Sequence, residues 1–209
     1  MYIPELYKNE NAEAIRNFLK SNSFGILVNQ TEGKLWGTHI PLELETNTQG
    51  KEVLFGHVSK ENPQWQAFEN NSEVLAIFSG PHSYISSSWY DHENVPTWNY
   101  IAVHVYGKIK IIEGEEMLFA LKKLVDKYES ASENPVRIEN LSKETMRQTN
   151  GFVAFEIEIT EIQAVNKLSQ NRDDKNHAAI ITELKKCPNE NAHAIAEEMK
   201  KQRKQLPDC

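Results

Sequence analysis

The chain has 209 residues, 39% of them hydrophobic and 25% charged, which places it among ordinary folded domains and excludes a disordered composition. Its net charge of −7 at neutral pH argues against a surface built to neutralise nucleic-acid phosphates. No run of eighteen apolar residues exists to suggest a transmembrane helix, and the N-terminal "MYIPELYKNENAEAI" lacks the basic-then-apolar order of a signal peptide, so residence in the cytoplasm, away from membranes, is expected.

In chain order, "ENAEAIRNFLKS" (10–21) spaces Ala14, Ile15, Phe18 and Leu19 as one face of a short amphipathic helix. "FGILVNQ" reads as a buried strand, "TEGK" as a turn and "LWGTHIPLELE" (35–45) as one second strand with Trp36, Thr38, Ile40, Leu42 and Leu44 on a shared face. A third strand covers 53–59. After it "NPQWQAFENN" predicts a helix capped by Asn62 with Pro63 in its first turn. A fourth strand spans 73–80. The longest runs from about 99 to 113, with Ile101, Val103, Val105, Ile109 and Ile111 alternating with Tyr100, His104, Tyr106, Lys108 and Lys110. "GEEMLFALKKLVDKYES" (114–130) is a helix whose stripe is Met117, Leu121, Leu124, Val125 and Tyr128. An alternating strand at 152–165 places Val153, Phe155, Ile157 and Ile159 inward. Two helices close the chain, at roughly 173–186 and 190–204. This order lacks a regular βα rhythm and predicts a mainly β protein, an antiparallel sheet or barrel with peripheral helices. One domain is expected over 1–170, with 171–209 as its C-terminal helical extension.

Several chemistries are disfavoured. Cys187 and Cys209 form no CxxC pair, which predicts two reduced thiols rather than a disulfide or zinc site. His82, His92 and His104 match no compact metal-ligand spacing, so no metal is expected. Ser86, Ser87 and Ser88 lack a GxSxG setting, and no GxGxxG or Walker sequence occurs. The densest basic segment, "KKQRK" (200–204), reads as a solvated helix end.

Three segments remain. "SYISSSWYDHENVPTWNYIAVHVYG" (83–107) carries two Trp and four Tyr, and the strand periodicity puts Trp98, Tyr100, His104 and Tyr106 opposite the aliphatic face. Such a face suits a subunit interface, a ligand platform, or aromatics closing a barrel end. "GHVSKENPQW" (56–65) brings His57, Ser59, Lys60 and Asn62 to a strand end, where they could seat a phosphate or simply cap the next helix. "KLSQNRDD" (167–174) adds Lys167, Ser169, Gln170, Asn171 and Arg172, with Asp173 or Asp174 available to cap the following helix. Together they suit an anionic, flat, aromatic ligand.

The segments "MYIP", "GHVSKENPQW", "YISSSWY", "VPTWNYIAVHVYG" and "KLSQNR", in that order, resemble the signature segments of the PaiB-type FMN-binding negative transcriptional regulators. The resemblance implies a Greek-key-like split β-barrel, assembled as a homodimer with non-covalent FMN in the crevice between subunits. It makes His57, Lys60 and Asn62 cofactor-binding candidates, with Lys60 and Asn62 at the phosphate end. Trp98, Asn99 and Tyr100 become candidates to line the flavin, and Gln170, Asn171 and Arg172 a polar clamp. Ser87 departs from the family, which usually has Pro there. Three functions follow as expectations: a flavin-dependent regulator working on DNA or through a protein partner, a flavin-dependent oxidoreductase (including a haem-handling variant using His57 or His104), and a cofactor-free interaction module.

Overall fold

The computed structural model describes residues 1–69 and 72–205, with side chains to Arg203. Cys209, the end of the expected 62–71 helix at Asn70 and Asn71, and the Lys204 side chain of the basic segment lie outside the described residues. The chain forms α1 (Ala12–Ser21), β1 (Phe24–Thr31), β2 (Lys34–Pro41), β3 (Glu43–Thr46), β4 (Glu52–Ser59), β5 (Glu73–Ile85), β6 (Thr97–Ile112), α2 (Gly114–Glu129), α3 (Lys143–Met146), β7 (Phe152–Lys167), α4 (Asp174–Lys186) and α5 (Glu190–Gln205). The strands make one seven-stranded sheet in the order β2-β1-β5-β6-β7-β4-β3. Pairings β1–β2, β1–β5, β3–β4 and β4–β7 are antiparallel.

The chain divides into two compact units. The larger comprises Arg16–Phe78 and His104–Ile162; the smaller comprises Met1–Ile15, Ser79–Val103 and the stretch from Gln163 onward. In the larger unit the single expected strand at 35–45 is two strands. Leu42 separates them, fully buried, with its amide bonded to the Ser23 carbonyl at 2.8 Å. The expected shared face holds only from Ile40 onward: Ile40, Leu42 and Leu44 are buried, while Trp36 is exposed and Thr38 half-buried. The β1–β2 hairpin turns through Glu32 and Gly33, both at positive φ (51° and 77°), the backbone that a two-residue turn between twisted strands requires.

The β6 core face is observed at Ile101, Val103, Val105 and Ile109, but the alternation shifts at its end, where Ile112 rather than Ile111 is buried. Gly107 on the same face marks a close crossing: a Cβ there would come within 2.5 Å of the Glu158 carbonyl oxygen and of Ile157. A side chain cannot fit without moving β7. β7 buries Val153, Phe155 and Ile157, leaves Ile159 half-buried, and also buries Ala154 on its opposite side, where it joins Val53, Phe55 and Ile112. Met117, Phe119 and Ala120 of α2 pack on that second cluster.

The far end of α2 is tied down by charge. Glu43 is a buried carboxylate on β3, and Lys127 reaches it at 2.6 Å while the Tyr128 hydroxyl donates to it at 2.8 Å. Lys127 also donates to the Lys20 carbonyl at 2.9 Å, and Ser23 Oγ lies 2.8 Å from the Tyr128 hydroxyl. A carboxylate removed from water this far is tolerable only because each oxygen has a donor.

In the smaller unit α4 and α5 pack through Ile180, Leu184, Ala192, Ile195, Ala196 and Met199, all buried. Asp173 caps α4, accepting from the Asn176 amide at 3.0 Å. The break between the helices falls at Cys187–Pro188–Asn189, as proline and the turn-prone residues there require. Cys187 is a free, half-buried thiol.

Removing the Glu43 carboxylate in Glu43→Ala should cost roughly 2 kcal/mol, because Lys127 and the Tyr128 hydroxyl lose their acceptor. Thermal denaturation should show a fall of several degrees, against little change for Lys122→Ala, which removes exposed α2 ion pairs to Asp126 at 3.1 Å and Glu139 at 3.0 Å. Burial pushes His57, His104 and His177 below their ordinary value near 6.5. The unfolded chain therefore binds more protons than the native one as pH falls through 6.5. Stability is fully present above that pH and should decline steadily below it, which melting curves between pH 7 and pH 5 would register.

Candidate functional site

The segment after β4 is built from bonds that leave one side chain free. Lys60 donates its backbone amide to the Gly151 carbonyl at 3.0 Å, and its own carbonyl accepts the Trp65 indole N–H at 3.0 Å. Ser59 Oγ accepts from the Glu61 amide, and the Ser59 carbonyl accepts from the Asn62 amide. Asn62 Oδ1 accepts from the Gln64 amide at 3.0 Å, and Asn62 Nδ2 donates to Thr38 Oγ1 at 2.9 Å.

The Asn62 cap is thus observed, but in place of the expected helix it opens a 3₁₀ turn, Pro63–Ala67. The tighter coil has a local cause. Gln64 is fully buried and donates to the Leu27 carbonyl at 3.1 Å, while the Trp65 ring folds back over the turn. With both Asn62 groups spent internally, the Lys60 ammonium stands exposed. Among the described residues nothing pairs with it. His57, three residues before Lys60 on β4, is half-buried with its ring 4.7 Å from that of Phe152.

His57, Lys60 and Asn62 belong to the larger unit; the other candidates belong to the smaller one. There Trp98 is 53% exposed, with the Tyr84 ring edge-on at 6.0 Å and the His82 ring at 6.2 Å. Tyr100 is half-buried on the same strand face. Asn99 points the other way and is fully buried. Its Nδ2 donates to Ser169 Oγ at 3.0 Å, and Ser169 Oγ lies 3.1 Å from its Oδ1.

That pair holds the 168–172 segment, where Ser169 takes positive φ (60°). Gln170 Oε1 accepts from the Leu168 amide at 2.8 Å, and its Nε2 donates to the Asn166 carbonyl, so both ends of this side chain stabilise their own loop. Arg172 lays its guanidinium 5.0 Å from the centre of the Tyr90 ring and accepts from Arg203 through its carbonyl. Asn171 is exposed.

Four residues whose contacts shape these segments were given no such role by the sequence. Thr38 receives the Asn62 bond from another strand. Tyr84 and His82 reach Trp98 because β5 runs five residues beyond its expected end. Tyr90 lies beneath Arg172, and its buried hydroxyl has no partner among the described residues, as is also true of His104 Nδ1. The Ser87 departure leaves the local turn intact: Ser86 accepts from the Ser88 amide at 3.2 Å and caps the 3₁₀ turn Ser87–Trp89. Ser87 occupies the first position of that turn, where proline would also fit.

In the larger unit the exposed ammonium of Lys60 on a fixed loop suits an anionic group, and in the smaller unit the exposed ring of Trp98 suits a flat aromatic one. Comparison with known proteins agrees. Residues 1–161 match the family described as "Putative FMN-binding domain". Protease synthase and sporulation protein PAI 2 of Bacillus subtilis (strain 168) is 44% identical over 208 residues, covering 99% of this chain and all of that protein. The chain belongs to the PaiB-type FMN-binding family.

Solved structures establish the split-barrel fold of this PaiB-type chain. The FAD and heme binding protein from Mycobacterium smegmatis superposes with a TM-score of 0.62 at 13% identity, covering 83% of this chain and 79% of that one. Flavocytochrome Anf3 from Azotobacter vinelandii gives 0.59 at 15% identity, covering 82% and 75%. FMN is the cofactor of the family.

Because the Asn99–Ser169 pair is buried on both sides, Asn99→Ala should lower stability by about 2 kcal/mol, the cost of an unsatisfied buried hydroxyl plus a lost bond. Lys60→Ala should change stability by less than about 0.5 kcal/mol, since an exposed, unpaired side chain is removed. Chemical denaturation of the two variants separates a structural residue from a ligand-facing one.

Proposed function

We propose that this PaiB-type protein is a cytoplasmic homodimer that binds FMN non-covalently and lowers gene expression according to the state of the flavin. The free Lys60 ammonium carries the reading. It is a cation held on an immobilised loop with no internal partner, which fits the dianionic phosphate of FMN. Bound FMN would supply reversible one- and two-electron chemistry. In the smaller unit, taken by itself, Trp98 offers an exposed ring and Asn171 an exposed polar group, while Gln170 and Asn99 hold their own segment in shape. Dimerisation draws support from the exposed apolar side chains of the first hairpin, Phe24, Leu35 and Trp36, and from Trp98 and Tyr84 in the smaller unit.

Action through a regulatory protein partner fits the charge better than a direct grip on DNA. The basic end of α5 is neutralised within its own unit: Lys200 pairs with Glu197 at 2.7 Å, Lys201 with Glu198 at 2.6 Å, and Arg203 with Asp174. Those cations are not available for phosphates without breaking pairs. No helix among the described residues is long and apolar enough to cross a membrane. A flavin-dependent oxidoreductase is the second reading. It is favoured by His104 Nδ1, which has no partner among the described residues and could orient a substrate or ligate haem.

A visible spectrum recorded after adding FMN and desalting should show a retained flavin band, and its absence at high protein concentration would overturn the FMN reading. Lys60→Ala should weaken FMN binding roughly 10- to 100-fold, the loss of one charge-assisted contact. Sedimentation should give a dimer. Promoter DNA should show no salt-sensitive shift with the protein alone, and turnover of reduced nicotinamide would favour the enzyme.

A further inference from the structure

The turn that follows Lys60 is seated on a single rung of the first hairpin. Leu27 of β1 and Thr38 of β2 stand directly opposite each other in the antiparallel register. Gln64 Nε2 donates to the Leu27 carbonyl at 3.1 Å, and Asn62 Nδ2 donates to Thr38 Oγ1 at 2.9 Å. Two side-chain amides of the turn therefore grip the two halves of one cross-strand pair, all within the larger unit. Gln64 is fully buried, so its bond is an interior one that holds the turn to the sheet. Asn62 and Thr38 are half-buried, and theirs is the bond nearer Lys60 in the chain.

What Thr38 contributes is direction. The oxygen and nitrogen ends of an Asn amide are alike in shape, so its partners decide which way it faces. Here the oxygen faces the Gln64 amide, 3.0 Å away, and makes the cap. The nitrogen then needs an acceptor, and Thr38 supplies it. Threonine is stiff about its first torsion, so its oxygen is a fixed point on a paired strand. The Lys60 backbone is already bonded on both sides of its α-carbon, through its amide to Gly151 and through its carbonyl from the Trp65 indole. Only Glu61 lies between Lys60 and Asn62, so a shift of Asn62 passes to the angle at which the Lys60 side chain leaves the loop. A four-carbon side chain magnifies that change at its ammonium. A cation held in place before its ligand arrives spends less binding energy on being ordered.

We infer that Thr38 is a positioning residue of the cofactor site: acting through Asn62, it sets the Lys60 ammonium where the phosphate of the flavin meets it. The inference rests on the phosphate role proposed above for Lys60. Its consequence is confined to the phosphate, because the bond it describes orients a cation and no ring.

FMN and riboflavin, which has the ring system but no phosphate, are titrated by flavin fluorescence into the full-length protein. The variants are Thr38→Val, Thr38→Ser, Lys60→Ala and the Thr38→Val/Lys60→Ala double variant. Thr38→Val keeps the shape and removes the acceptor; it should weaken FMN about 3- to 10-fold, the worth of one hydrogen bond. Riboflavin affinity should be unchanged. Thr38→Ser, which retains the acceptor, should restore most of the FMN affinity. In the Lys60→Ala background Thr38→Val should change FMN affinity by less than about twofold, because the group it positions is gone. Equal losses for FMN and riboflavin, additive losses in the double variant, or full FMN affinity in Thr38→Val would each overturn the inference. The first two are what a merely structural threonine would give. Where riboflavin binds too weakly to titrate, the double-variant cycle decides alone, and where Thr38→Val fails to fold by circular dichroism, Thr38→Ala takes its place. No FMN binding by the wild type, or unchanged affinity in Lys60→Ala, overturns the phosphate reading and this inference with it. A loss in Lys60→Ala with none in Thr38→Val overturns this inference alone.

Discussion

One residue forces the sheet to roll. β2 and β3 are the two ends of a seven-strand order, yet only Leu42 separates them in the chain. Laid flat, six inter-strand spacings of about 4.8 Å would part those ends by roughly 29 Å. Two residue steps span no more than about 7 Å. The sheet therefore curls until its edges meet, and the chain rather than a hydrogen-bond ladder closes the curl. That is the split of the split barrel. Burying Leu42 and bonding its amide to Ser23 fixes the joint, and Glu43, the next residue, anchors α2 from the same place.

A rolled sheet has two covered surfaces to satisfy, and this chain treats them differently. Its interior is filled by Leu42, Leu44, Phe155, Ile157 and their neighbours, with Gly107 keeping β6 and β7 close. The outer surface at β4 and β7 is covered by α2, whose hold depends on a buried carboxylate as much as on apolar contact. Charge at a helix end fixes position without filling volume.

The polar loops follow a common economy. Asn62, Gln64, Asn99 and Gln170 all direct their amides inward, onto backbone groups or a buried hydroxyl. Their role is to make short irregular segments rigid, and rigidity is what leaves Lys60, Trp98 and Asn171 presented in fixed places. The acidic net charge is distributed in the same spirit. Much of the positive charge is paired locally, so the unpaired ammonium of Lys60 stands out against its surroundings.

Period-two alternation and the capped, striped helices made the strands and helices readable from residues alone, because those patterns report local geometry and burial on one face. The family, its barrel and its flavin were legible through several short segments in fixed order. What the sequence could not determine was which polar side chains are spent. Asn99 and Trp98 are adjacent in a motif, yet strand geometry turns one fully inward to Ser169, seventy residues away, and leaves the other exposed. The break at Leu42, the shortened turn after Asn62 and the tether at the end of α2 were equally out of reach. Each depends on a partner distant in the chain: Ser23 for Leu42, Leu27 for Gln64, Glu43 for Lys127 and Tyr128. Local pattern sets which way a residue can face; only the folded chain decides what it meets there.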